Sequence, residues 1–218
     1  MFDDSKNELI PEPALRRMPW YLAYVSMLRE QHVDYVSSTQ ISRELKVDSS
    51  QIAKDLSFLD IKGKTRIGYE VELLEHKLEE FLGFRRRHRA VMVGVGSLGG
   101  ALMQDSGLTR YGLEIVAGFD VDTTLVGSEK HGLPVYHIDE LSEQCHKLKA
   151  GIGILAVPPE QAQRMADNLI QAGVKAIWNF TPYRICAPEG IVISNTSIYA
   201  HLAVMYNRME ANPSAIGK

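Results

Sequence analysis

Three glycines in the segment VMVGVGSLGGAL have the type and spacing that hold phosphate groups. They spell G-x-G-x-x-G between a short apolar run and a segment able to begin a helix. In such a turn the first glycine permits the tight bend, the second lets the backbone approach a pyrophosphate, and the third lets the helix pack on the strand. Free N–H groups of the first helical turn attract the phosphates. The pattern predicts a dinucleotide site that includes Gly94, Val95, Gly96, Ser97, Leu98 and Gly99.

A carboxylate follows at the position that a ribose requires. Asp120 ends the next apolar run, 21 positions after Gly99, close to the usual separation of roughly 20 residues. Its side chain can accept both ribose hydroxyls and would repel a 2′-phosphate, and no arginine stands beside it. The sequence therefore favours NAD+/NADH, with Asp120 and Val121 in the site. A coenzyme A fragment is a rival ligand, which Asp120 disfavours because its charge would meet a ribose 3′-phosphate.

Two later segments, ILAVPP and NFTP, follow further apolar runs. Ligands in open α/β sheets lie along the carboxyl ends of the strands. The two segments therefore predict cofactor contacts. The alternative interpretation of each is an ordinary loop that connects a strand to a helix. The residues concerned are Ala156, Val157, Pro158, Asn179 and Thr181.

No recognisable catalytic group accompanies this site. An NAD-dependent oxidoreductase needs a proton donor near the nicotinamide, normally His, Lys or Tyr. His137, His146 and His201 are available, but none has a recognisable partner or motif. We predict that the protein is not an enzyme, and an oxidoreductase with an appended helical domain is the alternative.

A DNA-binding element is predicted between Ser37 and Leu56. The segment SSTQISRELKVDSSQIAKDL predicts two short helices separated by a tight turn. In a helix-turn-helix the second helix offers its N-terminal residues to base edges in the major groove. Basic residues around two glycines then form a wing that can contact the DNA backbone. A module that docks only onto protein is the alternative. The predicted DNA contacts are Ser38, Ser49, Ser50, Gln51, Lys54, Lys62, Lys64 and Arg66.

The elements that must position these residues change character near residue 85. Upstream, apolar residues at three- and four-residue steps predict three helices, a short hairpin in KGKTRIGYEV and a further helix. Pro19 predicts a break or kink in the first helix, and the first dozen residues predict a loose arm. Downstream of RRRHR, strands alternate with helices, which predicts an α/β fold with a Rossmann-like doubly wound parallel sheet. The predicted regions are a winged helix-turn-helix at 1–84, a nucleotide-binding domain at 85–195 and a C-terminal dimerisation helix at 196–218.

Bulk composition sets further limits. The chain has 218 residues, 45% of them hydrophobic, and a net charge of −3. Any DNA-binding surface must therefore be local. Cys145 and Cys186 lie far apart without C-x-x-C spacing, which predicts neither a disulfide framework nor a metal site and fits a reducing cytoplasm. The polar start is unlike a signal peptide, and no apolar run is long enough for a membrane span.

Taken together, these features resemble the Rex family of redox-sensing transcriptional repressors. The resemblance covers nearly the whole chain, through RRMPWY, VSSTQISRELKVDSSQIAKDLS, GYEV, VGVGSLGGAL, FDVD, GLPVYHIDEL, ILAVPPEQAQ and NFTP. It implies a homodimer that binds double-stranded operator DNA when NAD+ is bound and releases it when NADH replaces NAD+. It also implies that the C-terminal helix crosses into the partner subunit.

Several positions depart from that family's pattern. Ala23 stands where the family usually has an arginine and Ser197 where it has an aspartate, which would remove both ends of one interdomain ion pair. Asp105 and Ser106 replace a tyrosine-proline pair, and Ala53 replaces an arginine of the recognition helix. The wing lacks the usual Phe-Gly steps. Redox preference and operator sequence are therefore the properties in which we expect this chain to differ.

Overall fold

The chain divides into two compact units in this computed structural model, which describes residues 10–211. The first unit ends at Arg86, whereas the boundary predicted from the sequence lies between residues 84 and 85. The difference arises because Phe84 still packs against the first core. The predicted loose arm falls largely on residues 1–9, outside the described residues, and the first helix begins at Glu12. Across residues 10–211, no helix combines the length and apolar character needed to cross a membrane.

The first unit is a winged helix-turn-helix. Ser37 begins α2 with a reciprocal cap, because its hydroxyl accepts from the Gln40 N–H while the Gln40 side chain accepts from the Ser37 N–H. Asp48 caps α3 by accepting from two backbone N–H groups. Ile41 and Ile52 are fully buried on the facing sides of these helices. The elements are α1 (Glu12–Glu30), β1 (Tyr35–Val36), α2 (Ser38–Leu45), α3 (Ser49–Leu56), a 3₁₀ turn (Ser57–Leu59), β2 (Tyr69–Glu70) and α4 (Val71–Phe81).

The predicted break at Pro19 is wrong, since α1 continues through this residue, and the alternative of a kink stays a prediction. A proline inside a helix removes one hydrogen bond and costs about 3 kcal/mol. Met18, Tyr21 and Val25 are fully buried on either side of it. Packing of this continuous apolar stripe outweighs the local penalty and keeps the helix whole.

The wing is smaller than the predicted hairpin. Its two arms meet at a single bridge between Lys64 and Gly68. The strand that follows, β2, pairs antiparallel with β1 instead, with Glu70 opposite Tyr35. Gly68 permits this arrangement because its φ is +110° and a side chain there would collide with the Val36 carbonyl.

The second unit contains a seven-stranded sheet in the order β5-β6-β4-β3-β7-β8-β9. Six strands are parallel, whereas β5, which the sequence did not predict, pairs antiparallel with β6. The parallel strands follow the Rossmann order 3-2-1-4-5-6. The strands are β3 (His88–Val93), β4 (Leu113–Asp120), β5 (Glu129–Lys130), β6 (Leu133–His137), β7 (Ile152–Leu155), β8 (Ala176–Asn179) and β9 (Val192–Asn195).

Helices cover both faces of this sheet, as doubly wound topology requires. Side chains alternate along β3, so that Val91 and Val93 pack with Leu141 and Leu169 of α7 and α8, whereas Met92 packs on the opposite face against α5. The predicted junction RRRHR is shorter than expected, because β3 already begins at His88. The helices are α5 (Ser97–Gln104), α6 (Ser106–Arg110), α7 (Leu141–Leu148), α8 (Ala162–Gln171) and α9 (Ile198–Ala211).

A buried carboxylate, Asp55, joins α3 to α1 in the first unit. Arg17 donates to both of its oxygens, from Nε at 2.7 Å and Nη2 at 2.8 Å. Tyr21 Oη donates at 2.7 Å and Gln51 Nε2 at 2.8 Å. Burial opposes ionisation of Asp55, but these hydrogen bonds, led by the one from Arg17, outweigh it and hold the pKa of the carboxyl below its ordinary value. Burial, aided by the hydrogen bond to Asp55, raises the pKa of Tyr21 to about 12, so the phenol remains a donor.

Replacement of Asp55 should destabilise the packing of α3 against α1. We expect Asp55→Asn to destabilise the first unit by about 3 kcal/mol at pH 7, because it leaves the Arg17 guanidinium without its charge partner. The folded-state pKa of Asp55 is depressed, so its contribution is complete above the unfolded pKa of about 4 and is lost as pH falls below that value. Urea-dependent hydrogen exchange of α1 and α3 amides, at pH 7 and near pH 3, measures both effects. Asp34→Asn, at an exposed aspartate of the same unit, is the matched control. Equal protection of wild type and Asp55→Asn at pH 7 would contradict the assignment.

Candidate functional site

A cavity of about 440 Å³ lies at the carboxyl edge of the sheet, where β3, β4, β6 and β7 end. Open α/β sheets bind ligands at this edge, beside the point where strand order reverses. The cavity combines the glycine turn, the end of β4 and the start of the segment before α8. Its lining consists of Val93, Gly94, Gly96, Phe119, Asp120, Val121, Ile138, Ala156, Val157, Pro158, Glu160, Gln161, Arg164 and Met165.

Seven of the predicted cofactor residues line this cavity together: Gly94, Gly96, Asp120, Val121, Ala156, Val157 and Pro158. The other residues of the phosphate turn have different surroundings. Val95 and Gly99 are buried, whereas Ser97 and Leu98 are exposed in the first turn of α5. Their direct contact with a cofactor remains a prediction.

The NFTP segment is held by internal hydrogen bonds and does not line the cavity. Asn179 is fully buried, and its Nδ2 donates to Asn195 Oδ1 at 2.9 Å and to the Tyr183 carbonyl at 2.7 Å. Its Oδ1 accepts from the Thr181 N–H and from the Thr181 hydroxyl. Both side chains therefore fix the loop after β8, and the predicted contact of Asn179 and Thr181 with a cofactor stays a prediction.

Each glycine of the turn is required for a different reason. Gly94 has φ +90°, and a Cβ there would collide with the Ala156 carbonyl. A Cβ at Gly99 would collide with the Gly94 carbonyl. Gly96 faces open space, because no neighbouring side chain or distant backbone atom lies within 4 Å of the place that a Cβ would occupy. Gly94 and Gly99 thus allow the packing of strand and helix, whereas Gly96 leaves room for a phosphate group beside the helix start.

The Asp120 carboxylate is fixed by backbone donors from two segments. Its Oδ2 accepts from the Val95 N–H at 2.7 Å, and its Oδ1 accepts from the N–H groups of Val121 at 2.8 Å and Asp122 at 3.1 Å. An ionised carboxylate has about four acceptor positions. Asp120 therefore braces the glycine turn and retains acceptor capacity for a ribose hydroxyl.

Two cations at this site were not predicted from the sequence. Arg164, in the first turn of α8, lines the cavity. Lys130 Nζ donates to the Val95 carbonyl at 2.7 Å, beside the glycine turn. Neither residue belongs to a recognisable sequence motif. Lys130 reaches the turn only through the pairing of β5 with β6. Both place positive charge near the region where a pyrophosphate would bind.

The predicted DNA-reading residues of α3 differ in how free they are. Lys54 is exposed and Ser49 is half-buried. The Ser50 hydroxyl donates to the capping carboxylate of Asp48, and the Gln51 amide donates to Asp55. Ser50 and Gln51 therefore support the helix, and Gln51 retains its carbonyl oxygen as the group available to a base. Ser38, also predicted to contact DNA, is half-buried in the first turn of α2.

The wing exposes three basic side chains, Lys62, Lys64 and Arg66. Lys64 Nζ donates to the Tyr35 hydroxyl at 2.6 Å and lies 4.7 Å from the centre of its ring. The hydrogen bond to Tyr35 raises the pKa of Lys64. Arg66 adopts a left-handed φ of 64° at the turn. The cationic wing is thus anchored to β1, which immediately precedes the helix-turn-helix.

A helix-turn-helix unit joined to a Rossmann unit with a phosphate turn defines a DNA-binding regulator built on a dinucleotide fold. The chain is 57% identical over 203 residues to the redox-sensing transcriptional repressor Rex of Bacteroides thetaiotaomicron, covering 93% of this chain and 92% of that protein. Rex of Porphyromonas gingivalis is 55% identical over 204 residues, covering 94% of each chain. The chain belongs to the Rex family of redox-sensing transcriptional repressors.

Two solved structures of RSP are similar to this chain over nearly its whole length. The crystal structure of RSP in complex with β-NAD+ and operator DNA matches with a TM-score of 0.89 and 28% identity over 96% of each chain. The complex of RSP with β-NADH matches with a TM-score of 0.85 over 96% of this chain and 98% of that one. A CoA binding domain model matches residues 85–183, and a model of a putative DNA-binding protein N-terminus matches residues 9–57. The predicted fold class and repressor function are confirmed, and the family consists of repressors rather than enzymes.

The glycine turn can be tested with two substitutions of the same kind. We expect Gly96→Ala to change Tm by less than about 2 °C and to weaken NADH binding at least about tenfold, because its methyl group occupies the space left for phosphate. Gly99→Ala should lower Tm by several degrees, although alanine is otherwise favoured in a helix by about 1 kcal/mol. Thermal scans and fluorescence titration with NADH measure both quantities. Unchanged NADH affinity in Gly96→Ala would contradict the placement of the phosphate.

Proposed function

We propose that α3 and the wing bind operator DNA, and that the dinucleotide in the cavity of the second unit sets this affinity, with NADH releasing the DNA. The observation that carries the proposal is the cavity itself, in which the glycine turn and Asp120 lie together. The same chain has a capped helix, α3, and a separate wing that exposes basic residues. The membership of the Rex family supports this coupling of a redox cofactor to DNA.

NAD+ and NADH fit the cavity better than a nucleotide with an additional phosphate on its ribose does. The Asp120 carboxylate lies where the adenosine ribose binds in this fold, and its charge opposes a phosphate on either the 2′- or the 3′-oxygen. Asp120 therefore disfavours NADP+ and also coenzyme A, although residues 85–183 match a CoA binding domain model. Arg164 lines the same cavity, and its guanidinium is a feature there that favours an additional phosphate.

The histidines considered for catalysis do not line the cavity. His137 lies 3.1 Å from Asp139, between Nδ1 and Oδ2. The Nδ1 atom of His146 lies 2.7 Å from the Ser142 carbonyl of its own helix, and that of His201 lies 2.9 Å from the Ser197 carbonyl just before α9. These contacts are local, and they support binding of the nicotinamide as a signal rather than its use in turnover.

The buried thiol of Cys145 is a poorer carrier of the redox signal than the nicotinamide. Cys145 is 1% exposed, and burial raises the pKa of its thiol to about 11. A thiol is reactive as the thiolate, so Cys145 is inert at neutral pH. Cys145 therefore does not carry the redox signal, which we assign to the bound dinucleotide.

We propose a second copy of the chain as the cover of α9. No residue of this helix between Ile198 and Ala211 is buried in the single chain. Its exposed apolar side chains lie on several sides of the helix, and a helix apolar all round requires covering. A symmetric homodimer would supply that cover and would also match two-fold symmetric half-sites in the operator. The exposed apolar residues are Ile198, Tyr199, Val204, Met205, Tyr206 and Met209.

The proposed coupling is tested by measuring DNA affinity in each ligand state. An operator is first selected from a random duplex library in the presence of NAD+, and its affinity is then measured by fluorescence anisotropy without ligand, with NAD+, with NADH and with NADPH. We expect NADH to weaken binding at least about tenfold, or about 1.4 kcal/mol, and NADPH to have little effect. Gly96→Ala should bind the operator but lose the response to NADH. Identical affinities in all four conditions would overturn the proposed sensor.

The proposed dimer is tested on α9. Tyr206→Glu places a charge on an apolar surface that is 55% exposed in the single chain, so it should raise the dimer dissociation constant at least about tenfold. Tyr183→Glu is the matched control, because Tyr183 is 48% exposed outside α9. Sedimentation equilibrium measures both variants against wild type. A monomeric wild type, or an unchanged constant in Tyr206→Glu, would exclude α9 as the dimer contact.

A further inference from the structure

A second cavity lies at the opposite, amino edge of the sheet in the second unit. It has a volume of about 530 Å³ and is open to solvent at the starts of β3, β7, β8 and β9. We call it the basic groove. The lysines and arginines in its lining are Arg87, Arg89, Lys149 and Lys175, and His88 lies among them.

Charge in this groove is of one sign. Residues 87–218 contain eleven lysines and arginines, and four of them line it, whereas none of the twelve acidic residues does. In the part of the chain that the structure describes, no salt bridge joins these four to a carboxylate. Because the protein as a whole carries a net charge of −3, this concentration does not follow from composition.

Backbone hydrogen bonds place these residues in a row across the sheet. The Arg89 carbonyl accepts from the Gly151 N–H at 3.0 Å, and the Gly151 carbonyl accepts from the Lys175 N–H at 2.8 Å. Neighbouring strands lie about 4.8 Å apart, so Arg89 and Lys175 lie roughly 10 Å apart across β7. A row of this kind is suited to an extended anion with several phosphates rather than to a single small ion.

Helix ends explain only part of the groove. Lys149 is the residue that ends α7, and a cation there complements the partial negative charge of a helix C-terminus. Arg87 and Arg89 precede or begin β3 and have no such role. Alternation along β3 puts Arg89 on the same face as Val91, which packs with α7 and α8, so Arg89 lies on the side of the sheet where Lys149 follows α7.

We propose that the basic groove binds backbone phosphates of the same DNA duplex, outside the bases read by α3. The inference rests on the proposed function. Arg87 directly follows the last residue of the DNA-binding unit, so the groove is covalently tied to a unit that holds duplex DNA. Phosphate contacts of this type carry no sequence information and add affinity that depends on salt.

The test compares two triple variants with equal loss of charge. The groove variant carries Arg87→Gln, Lys149→Gln and Lys175→Gln. The control carries Arg110→Gln, Lys147→Gln and Arg184→Gln, which are exposed cations of the same unit outside the groove. Affinity for the selected operator, extended by about one helical turn (roughly 10 bp) on each side, is measured at several salt concentrations. We expect the groove variant to lose on the order of tenfold in affinity and about 2 to 3 in the slope of log K against log salt, and the control to match wild type.

The outcomes separate the possible failures. If wild type does not bind any selected operator, the proposed function fails and the groove inference fails with it. If wild type binds and both variants have the wild-type slope, the groove inference alone is overturned. A lower Tm with an unchanged slope overturns it in favour of a role at helix ends. Calorimetric binding of tripolyphosphate to wild type, with an unchanged DNA slope in the groove variant, overturns it in favour of a free phosphate ligand.

Discussion

The contact between Gly99 and the Gly94 carbonyl is the constraint on which the dinucleotide site depends. Neither position has space for a side chain, because a Cβ at Gly99 would meet that carbonyl and one at Gly94 would meet Ala156. The contact lets α5 begin directly at the sheet edge, where Gly96 and Asp120 line the same cavity. One turn thereby joins β3, β4 and β7, and the site arises from close packing of backbone.

The recognition helix depends on a second buried contact, and there stability and function share residues. Asp55 holds α3 through Arg17 and Tyr21, and it also accepts a hydrogen bond from the side-chain amide of Gln51, a residue that we propose reads DNA. Hydrophobic residues of similar volume are often at least as stabilising as a buried ion pair. The charged cluster is therefore better explained by the fixed orientation that it gives to α3. Among the predicted DNA contacts on α3, Ser49 and Lys54 make no side-chain hydrogen bond within the described residues.

Two positions at which the chain departs from its family are occupied by helix caps. Asp105 accepts from the Gly107 N–H at 2.6 Å and begins α6. Ser197 Oγ accepts from the Ala200 N–H at 3.2 Å beside the start of α9. Ala23, on α1, has no charge to contribute. The residues present thus serve local structure, and Ala23 and Ser197 supply no charge for the interdomain ion pair that the resemblance implies at these positions.

Local signals in the sequence determined the capped helices, the alternation of strands and helices, the phosphate turn and the carboxylate after β4, because each depends on residues close together in the chain. The sequence could not show that α1 would run through Pro19, since burial of its apolar stripe decides that outcome. Nor could it show that Asn179 and Thr181 would use their polar atoms on each other. Lys130 reaches the phosphate turn, and Arg89 and Lys175 lie on either side of Gly151 at one sheet edge, only through strand pairing. These contacts join residues distant in sequence, so the packing of the sheet alone determined them.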